Sequence, residues 1–126
     1  IKLFNILVKN KISLAKVTSR YAIISKYSSI ESGSIIMHNA IINAGAKIGF
    51  NCIINNNTLI EHDSKIGNHC HISTGVIVNG NTTIGDECFI GSGSIIREGV
   101  KIENRVIISA GQIIMKDIPS NTIFKG

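Results

Sequence analysis

From Ile24 to Ile114 an aliphatic residue returns every six residues without an insertion or a deletion. The anchors are Ile24, Ile30, Ile36, Ile42, Ile48, Ile54, Ile60, Ile66, Ile72, Val78, Ile84, Ile90, Ile96, Ile102, Ile108 and Ile114. Four places after each stands a residue that is small or tolerates burial, as at Ser34, Ala40, Cys52, Thr58, Ser64, Cys70, Thr82 and Cys88. Fixed-period self-similarity marks a solenoid, and a period of six predicts a parallel β-helix, an all-β fold. The 44% hydrophobic content is carried mostly by isoleucine, a residue that suits packed strands. A single Pro and 12 Gly fit a succession of short, regular turns.

The 126 residues leave room for one domain and little else. Ahead of the repeat, Ile1 to Asn10 reads as a short amphipathic helix, with Leu3, Phe4, Leu7 and Val8 on one side. A connector follows to Tyr21. This divides the chain into 1–21, helix and connector, and 22–126, the β-helix. The chain begins with Ile1 and shows no signal peptide or membrane span, so a piece of a longer, non-membrane protein is expected. Three cysteines, an odd number, argue for reduced thiols and a cytoplasmic setting. The net charge of +5 fits a lysine-rich solvated surface or a small phosphorylated ligand. It does not suit nucleic acid, because the basic residues are scattered and no aromatics are interleaved with them.

An aliphatic residue followed at the fifth place by a small one resembles the hexapeptide-repeat acyltransferases. The resemblance implies a left-handed parallel β-helix in which three hexads close one 18-residue coil, about five coils in all. Residues 18 apart must then stack, which sorts the outward positions into columns. One column is polar: Ser29, Lys47, Lys65, Thr83, Lys101. A second is apolar: Ile41, Leu59, Ile77, Ile95, Ile113. The third, Ile35, Ile53, His71, Phe89, Ile107, is apolar but for its histidine. Exposed stripes of isoleucine call for a cover. A three-sided prism packs naturally about a three-fold axis, so a homotrimer with active sites between subunits is expected. Inside, Cys52, Cys70 and Cys88 form one column, best read as buried small hydrophobes.

The chemistry-bearing residues gather between Ile60 and Gly80. His62 stacks between Ala44 and Gly80, which leaves room at its edges, and Asp63 follows it. Imidazole is the side chain best suited to take a proton near neutral pH, and an adjacent carboxylate can set its tautomer or raise its basicity. The run Asn55-Asn56-Asn57-Thr58-Leu59-Ile60-Glu61-His62-Asp63, then His71-Ile72-Ser73-Thr74-Gly75 and Asn79-Gly80-Asn81, resembles the bacterial sialic-acid O-acetyltransferase and UDP-4-amino-sugar N-acetyltransferase family over about residues 12 to 125. The resemblance implies that His62 is the general base and that Asp63 raises its basicity. It implies that His71, Gly80, Ser92 and Ala110 contact acetyl-CoA, and that the acceptor is a sugar or nucleotide sugar. Family members carry an N-terminal sugar-binding α/β domain, of which this chain has at most the last helix. The usual tail after the final glycine is also missing.

Two other readings fit the same residues. His62, His69 and His71 are a possible zinc ligand set, as in the gamma-type carbonic anhydrases on the same kind of prism. A repeat can also be a non-catalytic scaffold.

Overall fold

The computed structural model describes residues 1–126: one helix, Lys2–Lys9, followed by eighteen two-residue strands from Val17–Thr18 to Ile123–Phe124. The strands fall in turn onto three parallel sheets of seven, six and five members. As far as the strand Ile113–Ile114, each strand pairs with the one three further along the chain, as Val17↔Ile35, Ile23↔Ile41 and Ser29↔Lys47 show. The chain is therefore the parallel β-helix that its period predicts. Eighteen strands on three faces make six turns, where five were expected.

The extra length comes from both ends, and each end hides its rung differently. Thr18 stands one hexad before Ile24 and pairs with Ile36, but as a polar residue it breaks the aliphatic pattern. At the other end Ile107 pairs with Ile123 and Ile102 bridges to Ile118, both across 16 residues instead of 18. The last coil is thus two residues short after Ile114. The Asp117 carboxylate closes it by accepting the Lys101 N–H at 2.8 Å.

Inside the prism the anchors from Ile36 to Ile114 are at most 3% exposed. Each such isoleucine contributes roughly 1.5–3 kcal/mol relative to an exposed one. The second inward position follows a donor rule as well as a size rule. Ser34 Oγ donates to Gly49 O at 2.8 Å, Thr58 Oγ1 to Ser73 O at 3.0 Å and Ser64 Oγ to Asn79 O at 2.9 Å. Cys52, Cys70 and Cys88 do the same through Sγ, each reaching the carbonyl 15 residues on at 3.0 Å. No buried side-chain nitrogen or oxygen is left without a partner. The cysteines are buried and free, and they act as weak serine-like donors as well as small hydrophobes.

Outside, the five-stranded sheet presents Ser29, Lys47, Lys65, Thr83 and Lys101 to solvent. The other two sheets present apolar columns, ending in Ile113 at 64% exposure and Ile123 at 60%. The N-terminal helix covers little of them. Its Phe4 packs edge-on against His69, with ring centroids 5.0 Å apart, and lies 6.5 Å from Phe50.

Every turn passes through the left-handed region once, at six-residue intervals from Gly33 to Gly111. Several of these residues are not glycine: Asn39, Asn57, Asp63, His69, Glu87 and Arg105 all have φ between 56° and 60°. One corner is further tied by a side-chain ladder. Asn68 Oδ1 accepts the Phe50 N–H, Asp86 Oδ1 the Asn68 N–H, and Asn104 Oδ1 the Asp86 N–H, at 2.9, 2.7 and 2.8 Å.

Candidate active site

His62 and Asp63 occupy the turn between the strands Leu59–Ile60 and Lys65–Ile66, at the corner where the six-stranded sheet passes to the five-stranded one. Asp63 adopts φ 60°, which turns its carboxylate back toward its neighbour. His62 Nδ1 lies 3.0 Å from Asp63 Oδ2. A carboxylate can only accept here, so Nδ1 carries the proton and Nε2 is left as the basic nitrogen. Both side chains are more than half exposed. The hydrogen bond to Asp63 raises the imidazole pKa above its ordinary value, and the charges of Asp63, Glu61 and Glu98 add to this. Glu61 is held in turn by Asn43, whose Nδ2 donates to it at 2.7 Å.

His71 lies on a different face. It leads the strand His71–Ile72 in the seven-stranded sheet, flanked by Ile53 and Phe89. Its ring meets Phe89 edge-on at 5.2 Å, and Asn55 Nδ2 approaches its Nε2 at 3.4 Å. Partial burial lowers its pKa, so it is a neutral imidazole at physiological pH. Ser92 and Ala110 stack near it at the next corner, where Ser73 Oγ and Ser92 Oγ are 2.9 Å apart. Gly80 belongs with the first group, since it sits one coil after His62 and directly against its ring.

The candidate residues therefore form two clusters within one chain. His62, Asp63 and Gly80 meet at one corner; His71, Ser92 and Ala110 gather about another, across the width of the six-stranded sheet. None of the clefts of the single chain is lined by His62 or His71. The widest, about 390 Å3, runs along the lysine-bearing sheet. The three histidines weighed as zinc ligands do not converge. His62 faces Asp63, His69 Nδ1 accepts from Asn51 Nδ2 at 2.9 Å, and His71 faces Asn55. No three histidine, cysteine or acidic side chains are placed to hold a metal ion.

Some partners escaped the sequence reading. Gly45 lies one coil before Asp63 and against its carboxylate, and Asn43 stands one coil before Glu61. The 18-residue column would have revealed both had it been read one residue to either side of His62.

The hexad-built three-sided prism is a fold shared with solved sugar acetyltransferases. The acetyltransferase domain of PglB from Neisseria gonorrhoeae FA1090 superposes with a TM-score of 0.95 at 29% identity, over 98% of this chain and 61% of that one. Its complex with acetyl coenzyme A gives 0.94 at 28%, with the same coverage. A histidine-to-asparagine mutant of perosamine N-acetyltransferase from Caulobacter crescentus, solved with CoA and GDP-perosamine, gives 0.95 at 26%, over 98% of this chain and 60% of that one. The chain thus spans about three-fifths of the length of these neighbours. No curated protein sequence is a significant match. The chain belongs to the GMPPB C-terminal domain family, whose model matches residues 17–125.

Proposed function

We propose that the protein of which this chain is part transfers the acetyl group of acetyl-CoA to an amine or hydroxyl of a sugar, with a nucleotide-linked sugar as the acceptor. The observation that carries this reading is the His62–Asp63 pair, in which Nδ1 is committed to the carboxylate and Nε2 is left basic. Neighbours of the same fold, at 26–29% identity, are acetyltransferases solved with acetyl-CoA or with CoA and a nucleotide sugar.

In the proposed reaction His62 Nε2 takes the proton of the acceptor N–H or O–H as that atom attacks the thioester carbonyl carbon. Asp63 stabilises the imidazolium that forms. The negative charge gathers on the former carbonyl oxygen, where a backbone N–H or His71 would stabilise it. The Gly80 N–H donates to no acceptor within the chain and is available for this. Collapse of the tetrahedral intermediate breaks the carbon–sulfur bond. The thiolate of coenzyme A leaves and takes up the proton that His62 carries. His71, neutral and half-buried beside Phe89, suits a contact to the acetyl-CoA chain, with Ser92 and Ala110 beside it.

Two separated clusters and two uncovered apolar faces support a homotrimer. There the corner bearing His62 meets the His71 corner of a second copy, so that each active site lies between subunits. The three free, buried thiols accord with a cytoplasmic setting.

The decisive test is steady-state kinetics of the full-length protein with acetyl-CoA and candidate nucleotide amino sugars, both varied. His62→Ala should lower kcat by about 10²–10⁴, the usual worth of general acid–base catalysis. Acetyl-CoA binding, read by calorimetry, should change little. Near-normal kcat in this variant would overturn the assignment of the base.

A further inference from the structure

Glycine has two possible reasons to stand in a β-helix turn: a backbone angle, or the lack of room for a side chain. At Gly75, Gly93, Gly99 and Gly111, all with φ near +70°, an added Cβ would meet nothing within 4 Å. Only the angle matters there. Gly45 and Gly80 are different. Gly45 has φ +75°, yet the same conformation is held elsewhere by Asn, Asp, His, Glu and Arg. Gly80 is not in the left-handed region at all, and equivalent positions of its own column hold Ala44, His62 and Glu98. Backbone conformation therefore does not demand glycine at either position.

What demands it is the dyad. A Cβ at Gly80 would lie 2.7 Å from both Cε1 and Nε2 of His62 and 3.2 Å from Cδ2, inside the ~3.5 Å at which such atoms rest in contact. A Cβ at Gly45 would collide with Oδ1 of the Asp63 carboxylate. Gly45 is one coil before Asp63 and Gly80 one coil after His62, so the pair lies between two stretches of bare backbone. The imidazole rests its Nε2 edge on one glycine, and the carboxylate rests on the other. Any side chain at either place would push its partner aside and open the 3.0 Å Nδ1–Oδ2 contact.

We propose that Gly45 and Gly80 are positioning residues for the His62–Asp63 pair, fixing the imidazole in its Nδ1–H tautomer with Nε2 presented for proton transfer. The role in transfer rests on His62 being the base; the geometric claim does not.

The test uses the full-length protein and the variants Gly80→Ala, Gly45→Ala and Gly99→Ala. The last repeats the angle of Gly45 in open space three coils above it in the same column, and so carries the backbone cost alone. Long-range nitrogen–proton NMR reads the His62 tautomer and its titration. In the parent and in Gly99→Ala the ring should be the Nδ1–H tautomer, titrating above an ordinary imidazole. In Gly80→Ala and Gly45→Ala the tautomers should mix and the titration fall toward that of a free imidazole. The kcat of Gly80→Ala should drop at least tenfold, and the acid limb of its pH profile should move to lower pH. If Gly80→Ala does not fold, His62→Ala/Gly80→Ala should, because removing the ring makes room for the methyl. Unchanged tautomer and titration in Gly80→Ala and Gly45→Ala, an equal change in Gly99→Ala, or failure of the double variant to fold would each overturn the proposal. Full activity of His62→Ala would remove the base assignment instead, while the NMR arm still decides the role of the glycines.

Discussion

Asp63 Oδ2 and His62 Nδ1 stand 3.0 Å apart although the two residues are consecutive, because Asp63 takes a left-handed backbone angle that folds its side chain back. Most imidazole–carboxylate pairs are built by distant segments; this one is built by a single turn. Its pH behaviour follows from that.

Asp63→Asn removes the negative charge that stabilises the protonated ring and leaves only a neutral amide oxygen to accept from it. The raised pKa of His62 means that the proton is lost only above the ordinary imidazole range, so the basic form is scarcer at pH 6–7 than in a free histidine. In the proposed reaction the rate therefore falls as pH drops through that raised value. In Asp63→Asn the acid limb should move to lower pH. The plateau rate should fall by roughly tenfold, less than in His62→Ala, because the ring stays but is a weaker, less oriented base. Glu61 and Glu98 still act on it, so the shift should be incomplete. A pH–rate profile of kcat measures both effects.

His71→Ala should separate from the dyad variants. His71 touches Phe89 and Asn55, far along the prism surface from the His62 turn. Acetyl-CoA affinity should fall by about tenfold, the worth of one hydrogen bond, with kcat at saturation reduced less. Calorimetric titration with acetyl-CoA gives the affinity directly.

The inward cysteines are donors as well as filler, so Cys70→Ser should be better tolerated than Cys70→Ala. Serine already makes the equivalent bond at Ser34, Ser64 and Ser94. Cys70→Ala should cost about 1 kcal/mol, through a small cavity and the lost contact to the Gly85 carbonyl. Turnover should survive either change. Cys52 and Cys88 on both sides, together with burial, hold the Cys70 thiol far above its ordinary pKa, so it is no nucleophile. Thermal unfolding and kcat of the two variants check this.

Assembly is the fourth expectation. The apolar columns containing Ile95 and Ile107 are exposed in the single chain, and sedimentation should show a trimer at micromolar concentration. Ile77→Asp, in the middle of the second column, should yield monomers and abolish activity, since the two site clusters then never meet. A stable monomeric parent would refute the intersubunit site.

How much of this was legible beforehand follows from where each feature gets its cause. A six-residue period of isoleucine can bury itself only by winding into a coil, so the β-helix, its interior and the stack of Cys52, Cys70 and Cys88 were determined by the sequence alone. The adjacency of His62 and Asp63 was equally open to inspection. The rung at Thr18 was not, because a polar residue at an anchor place carries no hydrophobic signal. Nor was the shortened coil at Asp117, whose register depends on backbone pairing with Lys101. The tertiary structure alone decided that the Asp63 carboxylate turns back onto His62 Nδ1 and lies against Gly45, and that the Nε2 end of the ring lies against Gly80. Such relations depend on which atoms meet between successive coils, and contact across 18 residues is a property of the wound chain.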